Sequence, residues 1–254
     1  MKIIILAGDT KSTRYIYNGI STQINLEAVL LTKNASAKTI LKKRVYRLGL
    51  LHVVNQILFQ VIVVRFLKLF SYQKVKKKIQ ELGLIDSFIP KKKIIHVGFV
   101  NSMKCIDIIK SINPDIIIVN GTAIIHKKVL ECCSAIFINA HVGITPQYRG
   151  VHGGYWALRN RDVENFGVTI HKVDTGIDTG DIICQNTCSV SPKDNFLTYP
   201  LYQYALAIPL LIDVIMDIKN KKLKIINKDK RESKLYYHPT FTSYINGWLI
   251  NGIK

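Results

Sequence analysis

Along this chain, short unbroken apolar runs alternate with stretches in which apolar residues recur every three or four positions. The runs are KIIILAG, bounded by Gly8; LEAVLLT from Leu26; KIIHVGFVN from Lys93; NPDIIIVNG, ended by Gly121; and AIFINAH, ended by His141. Residues 11–22 and 38–82, SMKCIDIIKSI and HKKVLECC fall between them and read as helices. Strands that are apolar throughout, rather than at every second position, are buried on both faces. Strand and helix in regular alternation predict an α/β fold: a Rossmann-like, doubly wound, mostly parallel sheet. Ligands bind such sheets beyond the carboxyl ends of the strands, near the point where strand order reverses.

Beyond His141 the texture changes. HGGYWALRNRD reads as a short helix, NFGVTIHKVD as an alternating strand, and TGIDTGDIICQNTCSV as a glycine-rich turn into a further strand. The stretch from Asn195 to Asn220 reads as helical, with breaks expected at Pro200 and Pro209. This organisation predicts a catalytic unit over 1–218, a helical insertion over about 37–93, and a small extension over 219–254.

One part of the insertion stands apart. Seventeen residues, Leu48 to Val64, carry no formal charge, and Gly49, His52, Asn55, Gln56 and Gln60 form a narrow polar stripe along them. Seventeen residues is at the lower limit of a membrane span, and the stripe would be costly in lipid. The main expectation is a helix buried in the fold. An interfacial helix flanked by Arg47, Arg65 and Lys68 is the alternative.

Charge sharpens that view. The net charge of +19 lies wholly in two segments: residues 37–93 hold fourteen Lys/Arg against two acids, and residues 219–254 hold nine against two. Such flanks either steer anionic ligands, nucleic acid or anionic lipid, or are plain solvated surface. The five cysteines include no CxxC pair, which argues for a reducing compartment and against a zinc site. The apolar run Ile3–Ala7 is too short for a signal-peptide core, so a cytoplasmic location is expected, with peripheral contact at the inner membrane surface through 37–93 as an option.

The chemistry-bearing residues cluster after the fifth run. An Asn amide donates to a developing oxyanion, a His donates or carries a proton, and a carboxylate orients the His. Asn139, His141 and Asp178 suit acyl transfer without a covalent enzyme adduct, and no GxSxG elbow competes with them. Taken bare, Asn-x-His at a strand end also fits a satisfied structural pair. His171 sits among strand hydrophobics and reads as structural. Tyr155 and Trp156 read as packing for the short helix.

INAHVGITPQYRG followed by GVTIHKVDTGIDTGDII resembles the 10-formyltetrahydrofolate-dependent formyltransferases, the glycinamide ribonucleotide, methionyl-tRNA and amino-sugar N-formyltransferase type. The likeness covers roughly residues 95–190. It implies that Asn139, His141 and Asp178 are catalytic. It also implies that the folate cosubstrate lies against Gly121, Thr122, Ala123, Ile124 and Ile125 and against the loop holding Val173, Asp174 and Gly176. Tyr148, Arg149 and His152 are the candidate acceptor contacts, and no metal is expected. Val142–Pro146 departs from the family's Pro-Ser-Leu-Leu-Pro, which bears on the acceptor.

The expected acceptor is a small primary amine, with nucleic acid not favoured. The 36 residues beyond 218 are too few for the C-terminal barrel of methionyl-tRNA enzymes, and the purine enzymes lack the basic insertion. The expectation is therefore an anionic, nucleotide-linked amino sugar. Formyltetrahydrofolate hydrolysis, formylation of a glycinamide ribonucleotide-like amine or of methionyl-tRNA, and a non-enzymatic RNA- or membrane-binding protein are the alternatives.

Overall fold

The computed structural model describes residues 1–226 and 232–254. In chain order the elements are β1 (Ile3–Gly8), α1 (Lys11–Ser21), β2 (Ala28–Thr32), α2 (Ala37–Leu48), α3 (Leu50–Leu58), a π-helical turn (Phe59–Val64), α4 (Arg65–Phe70) and α5 (Tyr72–Glu81). There follow β3 (Ile94–Gly98), α6 (Met103–Ile112), β4 (Ile116–Asn120), α7 (Lys127–Leu130), β5 (Ile136–His141), β6 (Arg149–Gly150) and α8 (Gly153–Arg159). The chain continues through β7 (Gly167–Lys172), β8 (Ile182–Thr187), α9 (Tyr199–Lys219), β9 (Leu235–Tyr236) and α10 (Phe241–Asn251).

Seven strands form one sheet in the order β3-β2-β1-β4-β5-β7-β8. The first five are parallel, whereas β7 runs antiparallel to both β5 and β8. The unbroken apolar runs have the expected cause. In β1, Ile3, Ile5 and Ala7 pack into one core with α1 and α9, while Ile4 and Leu6 pack into a second with α6. Both faces are covered, so neither register position is polar. Thr10 caps α1 by accepting from the Thr13 amide at 3.3 Å, and Ser102 caps α6 in the same way through Cys105. Strand order reverses between β1 and β4. There the glycines that end the two strands nearly touch, and a Cβ on Gly8 would meet the Gly121 carbonyl oxygen at 2.7 Å.

Three sequence expectations need correction. The helical stretch 38–82 is not one rod: Gly49, at φ 84°, ends α2, and Ser71 separates α4 from α5. Neither proline breaks the last long helix. Pro200 lies in the first turn of α9, where its missing N–H costs nothing, and Pro209 lies within a helix that continues to Lys219. Burial of Leu211, Ile212, Val214 and Ile215 against the sheet holds the helix together past the lost hydrogen bond.

The third correction is the insertion helix, expected to be buried in the fold: it is only half-buried, and its polar stripe is split, with Gln56 turned inward while His52 and Gln60 are exposed. Gln56 is 2% exposed and donates to the His238 carbonyl at 2.7 Å, and Asn55 donates to Thr242 Oγ1 at 3.0 Å. The inward face meets the backbone and hydroxyls of the C-terminal segment, so polar groups there find partners. The π turn keeps Phe59, Val63 and Val64 on that same side. These three join Tyr155, Phe166, Phe196, Tyr199 and Tyr244 in a third core. Residues 232–254 are thus integral: β9 pairs with β6, and α10 packs on α3 and the π turn. The part of the expected extension at 227–231 lies outside the described residues.

Candidate active site

A cleft of about 480 Å³ opens at the carboxyl ends of β4 and β5. Asn139, His141 and Asp178 all line it, as do Gly121 to Ile125, Val173, Asp174, Gly176 and His152. Parallel strands deliver two of these walls, and the antiparallel β7 supplies the link between them.

That link is His171, which the sequence pattern assigned to packing. Asn139 and His171 are direct cross-strand partners in the β5–β7 ladder. Asn139 Nδ2 lies 3.1 Å from His171 Nε2, and His171 Nδ1 lies 2.7 Å from the Lys172 carbonyl oxygen. The carbonyl accepts only, so Nδ1 carries the proton, Nε2 accepts from the Asn139 amide, and one Asn139 N–H is left for a ligand. Thr169, opposite His141, holds the following loop: its Oγ1 donates to the Gly143 carbonyl and accepts from the Thr145 amide.

His141 is 5% exposed and fixed from two sides. Its Nε2 donates to the Tyr148 carbonyl at 2.7 Å, and its Nδ1 lies 3.4 Å from Asp178 Oδ2. Burial pushes the imidazole below the usual histidine range, outweighing the opposite pull of Asp178 and of the Tyr148 carbonyl. At neutral pH the ring is therefore neutral, with Nδ1 bare beside a carboxylate. Asp178 works the other way. Burial raises its pKa, but the attraction of the His141 and His171 rings in their protonated forms, with the hydrogen bond from the Gly150 amide, outweighs burial and holds it at about 2. Its Oδ2 accepts from Gly150 N–H at 2.8 Å, and Oδ1 lies 3.5 Å from His171 Nε2. Asp178 adopts φ 51°, a left-handed conformation that Asp tolerates better than most residues.

The remaining expected contacts divide. Tyr148 lies beneath the cleft: its hydroxyl donates to Asp162 at 2.7 Å, its ring stacks on Tyr236, and its carbonyl positions His141. Arg149 is also off the wall, and its Nη1 donates to the Ile177 carbonyl, tying β6 to the loop that carries Asp178. Neither lines the cleft, because the chain at β6 turns the Tyr148 ring onto Tyr236 of β9 and Arg149 onto the 174–180 loop. Asp174 reaches the wall, yet its oxygens accept from Gly176 N–H and Thr179 Oγ1 and so fix their own turn. His152 is on the wall, held by His238 Nδ1 at 2.9 Å. Burial, then the neighbouring His238, pushes its pKa down to about 3. Tyr155, expected to pack, has its hydroxyl buried in the wall with no hydrogen-bond partner among the described residues. Phe196 and Tyr199 complete this aromatic end. No local sequence signal joins residues so far apart; their convergence depends on the third core.

At the other end, the amides of Ala123, Ile124 and Ile125 make no main-chain hydrogen bond among the described residues. The carbonyls of Ala123 and Ile124 are taken by Thr122 Oγ1 and Asn101 Nδ2, but the open run of amides fits the hydrogen-bonding edge of a flat heterocycle such as a pterin.

Residues 60–200 match the formyl transferase family model. A methionyl-tRNA formyltransferase from Kosmotoga olearia is 32% identical over 169 residues, 66% of this chain and 51% of that protein. The aligned part spans about half or less of the first curated relatives. Among solved structures, an N-formyltransferase from Helicobacter canadensis, in complex with folinic acid and dTDP-3-aminofucose, matches with a TM-score of 0.55 at 16% identity, over 93% of this chain and 71% of that one. A phosphoribosylglycinamide formyltransferase from Anaplasma phagocytophilum matches with a TM-score of 0.56 at 15% identity, over 93% and 99% respectively.

Proposed function

The chain belongs to the formyl transferase family, and we propose that it transfers a formyl group from 10-formyltetrahydrofolate to the primary amine of a nucleotide-linked amino sugar. The observation that carries the reaction is the convergence of Asn139, His141 and Asp178 on one cleft, with Asp178 ionised and His141 neutral. When bound, the folate supplies a formyl carbon open to attack by a neutral amine. The open amides of Ala123 to Ile125 and the turn at Val173–Gly176 would hold its heterocycle. The free N–H of Asn139 donates to the formyl oxygen as negative charge develops there. His141 accepts a proton from the attacking amine at Nδ1, and Asp178, 3.4 Å away, stabilises the imidazolium so formed. His141 then returns that proton to the departing folate nitrogen as its bond to the formyl carbon breaks, which leaves the formylated amine and tetrahydrofolate. Rate should rise with pH until the acceptor amine is neutral.

For the acceptor, the support is the aromatic end of the cleft. Phe196, Tyr199 and the Tyr155 hydroxyl, which has no partner among the described residues, offer stacking faces and one polar contact, which suits a sugar and a base better than a flexible aliphatic amine. The Helicobacter protein of similar fold was solved with a nucleotide-linked amino sugar. A second reading, methionyl-tRNA as acceptor, is favoured by the curated relatives and by the net charge of +19. The test is tetrahydrofolate production followed by absorbance, with a panel of nucleotide-linked amino sugars, methionyl-tRNA, and no acceptor. Acceleration by one amino sugar, with a product heavier by one formyl group, is the expected result. Acceleration by methionyl-tRNA alone would move the acceptor to tRNA, and an equal rate without acceptor would make the reaction a hydrolysis.

A further inference from the structure

The outer face of the insertion helix is as unusual as its inner face. Among the described residues, Leu50–Phe70 is one of two 21-residue helical stretches long and apolar enough to cross a membrane by length and composition; the other is α9. Only 28% of its apolar window is buried. Leu50, Leu51, Ile62, Phe66, Leu69 and Phe70 are between 49% and 86% exposed. Val54, Ile57, Leu58 and Val61 fill the intervals, so the apolar band runs the whole length of the stretch. Single exposed apolar residues need no explanation, but a band of this length does.

The surrounding charge identifies what covers it. From residue 28 to residue 80 there are twelve Lys/Arg and no acid. Lys42 and Lys43 on α2 and Arg65, Lys68 and Lys76 on α4 and α5 are exposed. At the two ends stand Tyr46, 94% exposed, and Tyr72, 65% exposed, ring side chains suited to the boundary between headgroups and acyl chains. A second copy docked by two-fold symmetry would bring like charge against like charge with no acid to offset it. A nucleic acid would meet the lysines but leave the Leu, Ile and Val side chains in water. An anionic bilayer satisfies both halves: the lysines reach the headgroups and the apolar band enters the boundary beneath them. The stretch lies on the membrane rather than across it, because its opposite side is fixed to the protein by Phe59, Gln56 and Asn55.

We propose that residues 37–78 form a docking surface for an anionic lipid bilayer, with the apolar band of Leu50–Phe70 inserted and the flanking lysines and arginines on the headgroups. The surface adjoins the site, since Phe59 packs edge-on against Phe196 of the cleft wall at a centroid distance of 5.0 Å.

The full chain would be sedimented with vesicles of phosphatidylglycerol and phosphatidylcholine in equal parts, and with phosphatidylcholine alone. Tight binding to the mixed vesicles is expected. It should weaken about tenfold or more on neutral vesicles, in about 0.5 M salt, and in the triple variant Lys42→Gln/Lys43→Gln/Lys76→Gln. The variant Leu51→Asn/Phe70→Asn, which changes only exposed side chains, should lose a similar factor while keeping its melting temperature and its tetrahydrofolate production. Absence of binding to mixed vesicles would overturn the proposal, as would a Leu51/Phe70 variant that binds undiminished. So would a dimer in the ultracentrifuge that the same variant dissolves, or RNA binding that this variant leaves intact while vesicles do not compete.

Discussion

The rim of the cleft and the outer face of the insertion helix depart from the ordinary partition of residues in opposite directions. The rim buries polar groups: His141, Thr169, His171 and Asn120 are all 5% exposed or less. The insertion exposes apolar ones. An interior polar group is tolerated only with partners, and the rim supplies them through the β5–β7 ladder, with the Lys172 carbonyl holding His171 and His171 holding Asn139. The apolar band has no such partner among the described residues. The first region is complete in itself and poised for a ligand; the second is incomplete until something covers it. Each departure is informative where the bulk of the core is not.

The comparison breaks most sharply on the rim. Asn139→Ala or His141→Ala should lower turnover by about a thousandfold, with folate still bound and the melting temperature moved by no more than a few degrees. Retention of more than a tenth of the activity in either variant would remove that residue from the chemistry. A smaller effect tests positioning alone. A Cβ at Gly143 would meet the Tyr148 carbonyl at 2.6 Å and His141 Nε2 at 2.7 Å, so Gly143→Ala should tilt the ring and lower kcat by roughly tenfold to a hundredfold. A wild-type kcat in that variant would mean that the bond to Tyr148 does not set the ring's orientation.

The buried histidines make a stability prediction. His152 and His238 are held at about 3 and about 4, chiefly by burial, against an ordinary value of 6.5. The unfolded chain therefore takes up protons first. The stability these neutral rings contribute is complete above pH 6.5 and is lost as pH falls toward their folded values. His152→Gln should flatten the decline of melting temperature in that window, by on the order of 2 kcal/mol at about pH 5. An unchanged decline would place the acid sensitivity elsewhere. The smallest effect concerns the acceptor. Tyr155→Phe removes a buried hydroxyl that has no partner among the described residues, so stability should hold or rise by up to about 1 kcal/mol. KM for the acceptor should rise several-fold with kcat little changed; an unmoved KM would show that the hydroxyl does not meet it.

Much of this was legible from the chain. Strands sealed on both faces must be apolar at every position, so the parallel core and the strand end bearing Asn139 and His141 stood out. Asp178 was legible from its paired glycines. His171 was not, because its role rests on an antiparallel register that places it opposite a residue 32 positions earlier. The side on which Tyr148 and Arg149 lie was not legible, because β9 decides it from 86 residues away. Periodicity revealed a stripe on the insertion helix but not which side of it the core lies on, since a narrow polar face suits water and a hydrogen-bonded backbone equally.

The short pairing of β9 with β6 also bears on how the protein comes into being. The seven-stranded sheet has all its strands once residue 187 has left the ribosome. His238 and Tyr244, which prop the aromatic wall, are synthesised some fifty residues later. During translation the chain therefore passes through an interval in which its sheet is assembled but its wall is not, and a nascent chain stalled there would be folded and inert.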